Sequence, residues 1–194
     1  MGEIRFPEPV QLIIAAFAAE EEALAWGRER ATEAFGPIWR ESPTFRFNEF
    51  TDYYADEMGP VLLKRFWAFE QLVGMDRLAE IKVMTNSWED DLARGGADGT
   101  SPVLSGGPAR AVRRPLNLDP GYIDLGKLIL ASTKDHLHRI YLRDGIFAET
   151  TLYYSQKAWQ KLPWTYPDYQ SAGYQAFFTE CRNRLRRLRR ESDR

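Results

Sequence analysis

Residues 10–18 read VQLIIAAFA, apolar at both even and odd positions. A strand with one solvated face alternates polar and apolar side chains, so a stretch apolar at both parities fits a strand buried on both faces. Such a strand belongs in the interior of a sheet, and the rest of the chain must build around it. The run stops at Glu20-Glu21-Glu22, and acidic groups in a first turn favour a helix N-terminus. That helix is expected to run to Phe35 and stop at Gly36-Pro37.

Further along, residues 39–48 read as a strand with Phe45 and Phe47 on one face, joined by the aromatic segment 50–60 to a second strand over 61–72. Asp76 is the expected N-cap of a second helix. Its apolar face is Leu78, Ile81, Met84, Trp88 and Leu92, at helical spacing. Residues 94–112 hold five glycines and two prolines, the composition of a flexible loop. Short strands are expected over 128–133, 137–142 and 146–154, the last two joined by Asp144-Gly145, a strong hairpin signal. Tyr174, Phe177, Phe178, Cys181, Leu185 and Leu188 fall within an arc of about 100° on a final helix. Cys181 on that stripe reads as a small buried hydrophobe.

This order predicts one α+β domain over residues 8–190. It opens with the split βαβ of ferredoxin-like domains and continues into a β-meander. The expected sheet is antiparallel or mixed with about six strands, its helices mainly on one face, followed by a C-terminal helix.

Composition agrees with a single core. The 194 residues are 44% hydrophobic and 28% charged, and a chain of this size buries roughly 70% of its accessible surface on folding. One cysteine cannot form an intramolecular disulfide or a cysteine-based metal cluster. The first nine residues lack the pattern of a signal peptide. The longest apolar run, residues 12–19, is eight long, far short of the ~20 a membrane span needs. A cytoplasmic location without membrane insertion is expected. The net charge of −2 hides an asymmetry: seven arginines against three acids over 180–194 give +4, leaving −6 for the body. Nucleic acid is therefore not an expected partner except through the basic end, residues 182–194.

Several chemistries are excluded. The sequence has no GxxxxGK[ST] phosphate loop, no GxGxxG dinucleotide turn and no GxSxG nucleophile elbow. Its two histidines, His136 and His138, could hold a metal with Asp119 or Asp135 if both lay on one strand face. The hairpin gives a sharper constraint. A two-residue Asp144-Gly145 turn would pair Leu142 with Phe147, Ile140 with Glu149 and His138 with Thr151, making His138 and Glu149 diagonal neighbours. A carboxylate beside an imidazole fixes its tautomer and suits it to acid–base work. A sheet-face ion pair fits the same spacing. Lys82, Asn86 and Glu89 recur at i, i+4, i+7 as a polar ridge, which a solvated helix face also explains. Asp119-Pro120-Gly121 has the residue order of a type II turn. Asp168 or Ser171 can cap the final helix.

These strings also carry a resemblance. Tyr53 to Gly59, Ile81 to Glu89, Asn117 to Tyr122, Leu130 to Asp135, His138 to Leu142 and Trp164 to Tyr169 together resemble a family of bacterial proteins catalogued as domain of unknown function 4416. The likeness covers about residues 8–183 and implies no activity, because that family has none assigned. It places Lys82, Asn86, Asn117, Asp119, Lys134, Asp135, His138, Arg139 and Glu149 in or beside the motif strings.

The leading expectation is binding of a phosphorylated small molecule or nucleotide, with enzymatic turnover left open. Lys134 and Arg139 would hold the anion, with Lys82, Asn86 and Asn117 contributing. His138 oriented by Glu149 would move a proton, and Asp119 with Glu57 would hold a hard cation such as Mg²⁺. Strand alternation, however, points Arg139 away from His138 unless both lie at a strand end. The competing expectation is a non-catalytic module that docks protein or RNA.

Overall fold

The computed structural model describes residues 2–47, 58, 61–95 and 114–192. Among these residues nine strands form one sheet: β1 (Val10–Ala18), β2 (Ile38–Glu41), β3 (Phe45–Arg46), β4 (Leu63–Val73), β5 (Asn117–Ile123), β6 (Lys127–Ser132), β7 (Ile140–Arg143), β8 (Ile146–Ser155) and β9 (Ala158–Lys161). Among the described residues three α-helices pack on it: α1 (Glu21–Phe35), α2 (Leu78–Ala93) and α3 (Ala172–Ser192). The strand order is β2-β4-β1-β5-β6-β8-β7, with β3 also paired to β4 and β9 to β8. Every pairing is antiparallel.

β1 lies between β4 and β5 and is buried along its whole length. Its two parities serve two layers. Leu12, Ile14, Ala16 and Ala18 pack with Leu24 and Phe35 of α1 and Ile81 and Leu92 of α2. Ile13 and Ala15 pack with Tyr174, Phe177, Phe178 and Cys181 of α3 on the opposite face. Burial of each such large apolar side chain contributes about 1.5–3 kcal/mol. The sheet is thus covered by α1 and α2 on one side and by the C-terminal helix on the other.

The structure corrects several sequence expectations. The strand expected over 39–48 is divided into β2 and β3, with Ser42-Pro43-Thr44 between them. Asp76 is not an N-cap. It lies in a 3₁₀ turn, Met75–Arg77, that leads directly into α2. The expected turn at Asp119-Pro120-Gly121 is instead the middle of β5. β5 and β9 are the strands not foreseen. Residues 96–112 of the glycine-rich segment lie outside the described residues.

The Asp144-Gly145 hairpin forms, with both residues at positive φ (55° and 74°) as a type I′ turn requires. Its register differs by one residue: Ile140 pairs with Ala148 and Tyr141 with Phe147, because a bulge falls between Tyr141 and Arg143.

Candidate functional site

Two polar networks stand out from the apolar layers. The first begins on α2. Lys82 and Glu89, seven residues apart and therefore on one helix face, are both buried rather than solvated. Lys82 Nζ donates to Leu118 O at 2.7 Å and to Asp119 Oδ1 at 3.1 Å. Glu89 Oε1 accepts the Leu118 N–H at 2.8 Å, and Arg114 Nη2 donates to Glu89 Oε2 at 2.7 Å.

The reason is local. β5 pairs with β1 through Leu118 but with β6 only from Gly121 onward, so the backbone N–H and C=O of Leu118 have no strand on the β6 side. A buried unpaired peptide group is costly. The α2 side chains supply what a strand would have supplied.

Asp119 is bonded at both oxygens, since Asn117 Nδ2 donates to Oδ2 at 2.8 Å while Lys82 takes Oδ1. Burial works to raise its carboxyl, but Lys82, Lys64 and Arg114 together outweigh burial and hold it below its usual range. Glu89 goes the other way: burial pushes its carboxyl up, against the pull of Lys82 and Arg114. Asp119 thus has a lysine and an amide as partners, and no group of three metal-ligating side chains occurs among the described residues. Glu57, its expected companion on a cation, lies outside the described residues.

Sequence reasoning missed the neighbouring pair Lys64–Asp168. Their 2.7 Å contact is almost fully buried, and Lys64 Nζ lies 4.7–5.5 Å from the ring centroids of Phe17, Phe47, Phe66, Tyr169 and Tyr174. The sequence did carry one signal. Lys64 shares the inward parity of Phe66 and Ala68 on β4, both buried on the α3 side. Nothing local, however, points to a partner 104 residues away. Asp168 therefore locks the turn before α3 to the sheet, while Ser171 Oγ accepts the Tyr174 N–H at the helix start.

The second network is built around Glu149 on β8. Its Oε2 faces His138 Nε2 at 3.1 Å and accepts from Arg139 Nε at 2.8 Å, and its Oε1 accepts from Thr151 Oγ1 at 3.0 Å. His138 and Arg139 reach the same carboxylate because neither belongs to a strand. Arg139 N–H closes a turn onto His136 O at 2.9 Å, and β7 begins only at Ile140. The alternation that would have separated the two side chains does not operate there.

Arg139 has its donors engaged elsewhere as well. Its Nη1 donates to Ser132 Oγ at 2.8 Å and to Lys134 O at 2.9 Å, and its side chain is 4% exposed. It braces the turn and Glu149 more than it faces solvent. Lys134 is exposed at the same turn, and Asn86 is half-buried on α2.

The His138 ring has two ring neighbours. The Trp164 ring stacks on it at 4.8 Å and 11°, and the His136 ring lies 5.9 Å away at 23°. Trp164 is itself held by donation from Nε1 to Thr150 O at 2.9 Å. With Nε2 turned to a carboxylate, the hydrogen belongs on Nε2 and the lone pair on Nδ1. Among the described residues nothing hydrogen-bonds Nδ1, and the side chain keeps 14% of its surface exposed.

Tyr169 sits between the two networks. Burial, then the charges of Asp168, Asp119 and Glu149, push its phenol well above the usual range. All three carboxylates therefore act on one buried ring.

These features define a single α+β domain with a nine-stranded antiparallel sheet and a carboxylate-oriented histidine at its edge. The chain belongs to the family described as Domain of unknown function (DUF4416), whose model matches residues 8–185. No curated protein and no solved structure shows significant similarity to it.

Proposed function

We propose that the His138 edge is a binding site for a phosphorylated small molecule or nucleotide, with His138 placed to accept or return a proton. The observation that carries this reading is the Glu149–His138 contact. One ring nitrogen is committed to a carboxylate, the ring is clamped against Trp164, and the other nitrogen has no hydrogen bond among the described residues on a side chain that keeps 14% of its surface exposed. Orientation of this kind is what general acid–base work requires. The exposed Lys134 places a cation at the same turn for an anionic group. Arg139 is a positioning residue in this reading, acting through Glu149. Lys82, Asn117 and Asp119 act behind the site as the buried frame of β5 and α2, and no step requires a metal.

A thermal-shift panel tests it, using inorganic pyrophosphate, nucleoside mono- and triphosphates and sugar phosphates on the full chain. A ligand at 100 times its dissociation constant adds about 2.7 kcal/mol, or roughly 5–10 °C for a chain of this length. The expected result is such a shift with wild type and its loss in His138→Ala, with the unliganded midpoint little changed. A flat panel, or an equal shift in His138→Ala, contradicts the reading.

A further inference from the structure

The arginines at the end of α3 divide into two sets. Arg182, Arg184 and Arg189 are fasteners. Arg182 Nε donates to Leu125 O at 2.7 Å, and its guanidinium covers the Tyr154 ring at 3.6 Å. Arg184 Nη2 donates to Glu70 O at 2.7 Å, and its guanidinium lies over the Trp39 ring at 4.9 Å. Arg189 pairs with Glu8 at 2.8 Å and Asp124 at 3.3 Å. Arg186, Arg187 and Arg190 are exposed, and among the described residues none of them forms an ion pair.

The division follows from helical geometry. At 100° per residue, the apolar stripe through Tyr174, Phe177, Phe178, Cys181 and Leu185 spans about 100°, and the three fasteners flank it. Asn183, Arg186, Arg187 and Arg190 occupy an arc of about 100° on the far side, where they line one shallow concavity with Glu191. The fasteners hold the helix end rigidly against the body, so the outer arginines form a fixed array rather than a loose tail. This array lies past the end of the family match at residue 185.

We propose that Arg186, Arg187 and Arg190 form a docking surface for the phosphate backbone of a nucleic acid, independent of the His138 site. Guanidinium forks match phosphate geometry, and three of them on one helix face give a strong local positive field. Charge complementarity selects the approach: residues 1–179 carry −6 and repel a polyanion, whereas this face attracts it. The apolar side of α3 is buried against the sheet, so the helix has no apolar face to insert into a membrane. No aromatic residue accompanies the three arginines on their arc, so recognition rests on the backbone and is blind to sequence.

The test is fluorescence anisotropy of a labelled mixed-sequence RNA 20-mer titrated with the full chain between 50 and 200 mM salt. Wild type is compared with the triple variant Arg186→Ala/Arg187→Ala/Arg190→Ala. Three phosphate contacts contribute a slope of about 2 in log K against log salt for a single strand. The expected result is salt-sensitive binding by wild type, at least tenfold weaker binding and a correspondingly flatter slope in the variant, and unchanged circular dichroism. No binding by wild type at 50 mM salt, or equal binding by both proteins, overturns the proposal. So does capture of the chain by anionic phospholipid vesicles, but not RNA, through these same arginines. His138→Ala is expected to bind RNA normally, which separates this surface from the small-molecule site.

Discussion

At the scale of single residues, the buried ionic groups make the sharpest claims. Lys82 satisfies Leu118 O, Asp119 and part of the field on Glu89. Its removal leaves a buried carbonyl unpaired, Asp119 without its cation and Glu89 with Arg114 alone, so Lys82→Met is expected to cost about 3–5 kcal/mol in urea unfolding. Glu89→Gln is expected to cost far less, about 1 kcal/mol or below. Burial already raises the Glu89 carboxyl, an amide oxygen can still accept the Leu118 N–H, and Arg114, one-third exposed, can turn to water. Similar losses in the two variants would show that the network does not work as described. The Lys82–Glu89 spacing was visible in the sequence, but its burial was not. Whether a polar ridge faces water or a strand depends on what packs against it, and here that is a strand whose pairing with β6 begins four residues after its start.

At the scale of elements, the hairpin and β5 show what local chemistry can and cannot announce. Asp144-Gly145 set the turn because few other residues accept positive φ at both positions. The bulge at Leu142 left no such mark, and so the register came out one residue away. His138 still meets Glu149, because it lies in a turn that reaches back over the sheet. β5 was hidden by Pro120 and Gly121, whose order suggests a turn. Alternation places the backbone nitrogen of residue 120 on the same side as the Leu118 N–H, facing the stretch that β6 does not cover, so a proline there forfeits no ladder bond. Gly121 is needed for close approach, since a Cβ there would lie 2.3 Å from Ile129 O. Gly121→Ala is therefore expected to destabilise the fold by about 1–3 kcal/mol, read from the midpoint of a denaturant titration. A neutral outcome would mean that β5 and β6 are not held this tightly.

At the scale of the whole molecule, one both-sides-apolar strand explains the architecture. β1 needed cover on two faces, α1 with α2 supplied one and α3 the other. The start and stop of α1, the periodicity of α2 and α3 and the order of the early elements were legible in advance, because each is written in local patterns. Long-range pairings such as Lys64 with Asp168 and Trp164 with His138 were not, because the sequence holds no local trace of which distant segments meet. The candidate site depends on these pairings: a turn, a strand and the segment before α3 converge on one imidazole. That convergence is the centre of the account. The chain has only two histidines, so the nitrogen NMR spectrum of the folded protein contains two imidazoles, and His138→Gln assigns them. His138 is expected to show a hydrogen fixed on Nε2 and an unprotonated Nδ1 whose signal moves when a phosphorylated ligand is added, with Glu149→Gln abolishing the preference. A His138 ring that carries its hydrogen on Nδ1, or that averages like an exposed imidazole and ignores every ligand, would contradict it.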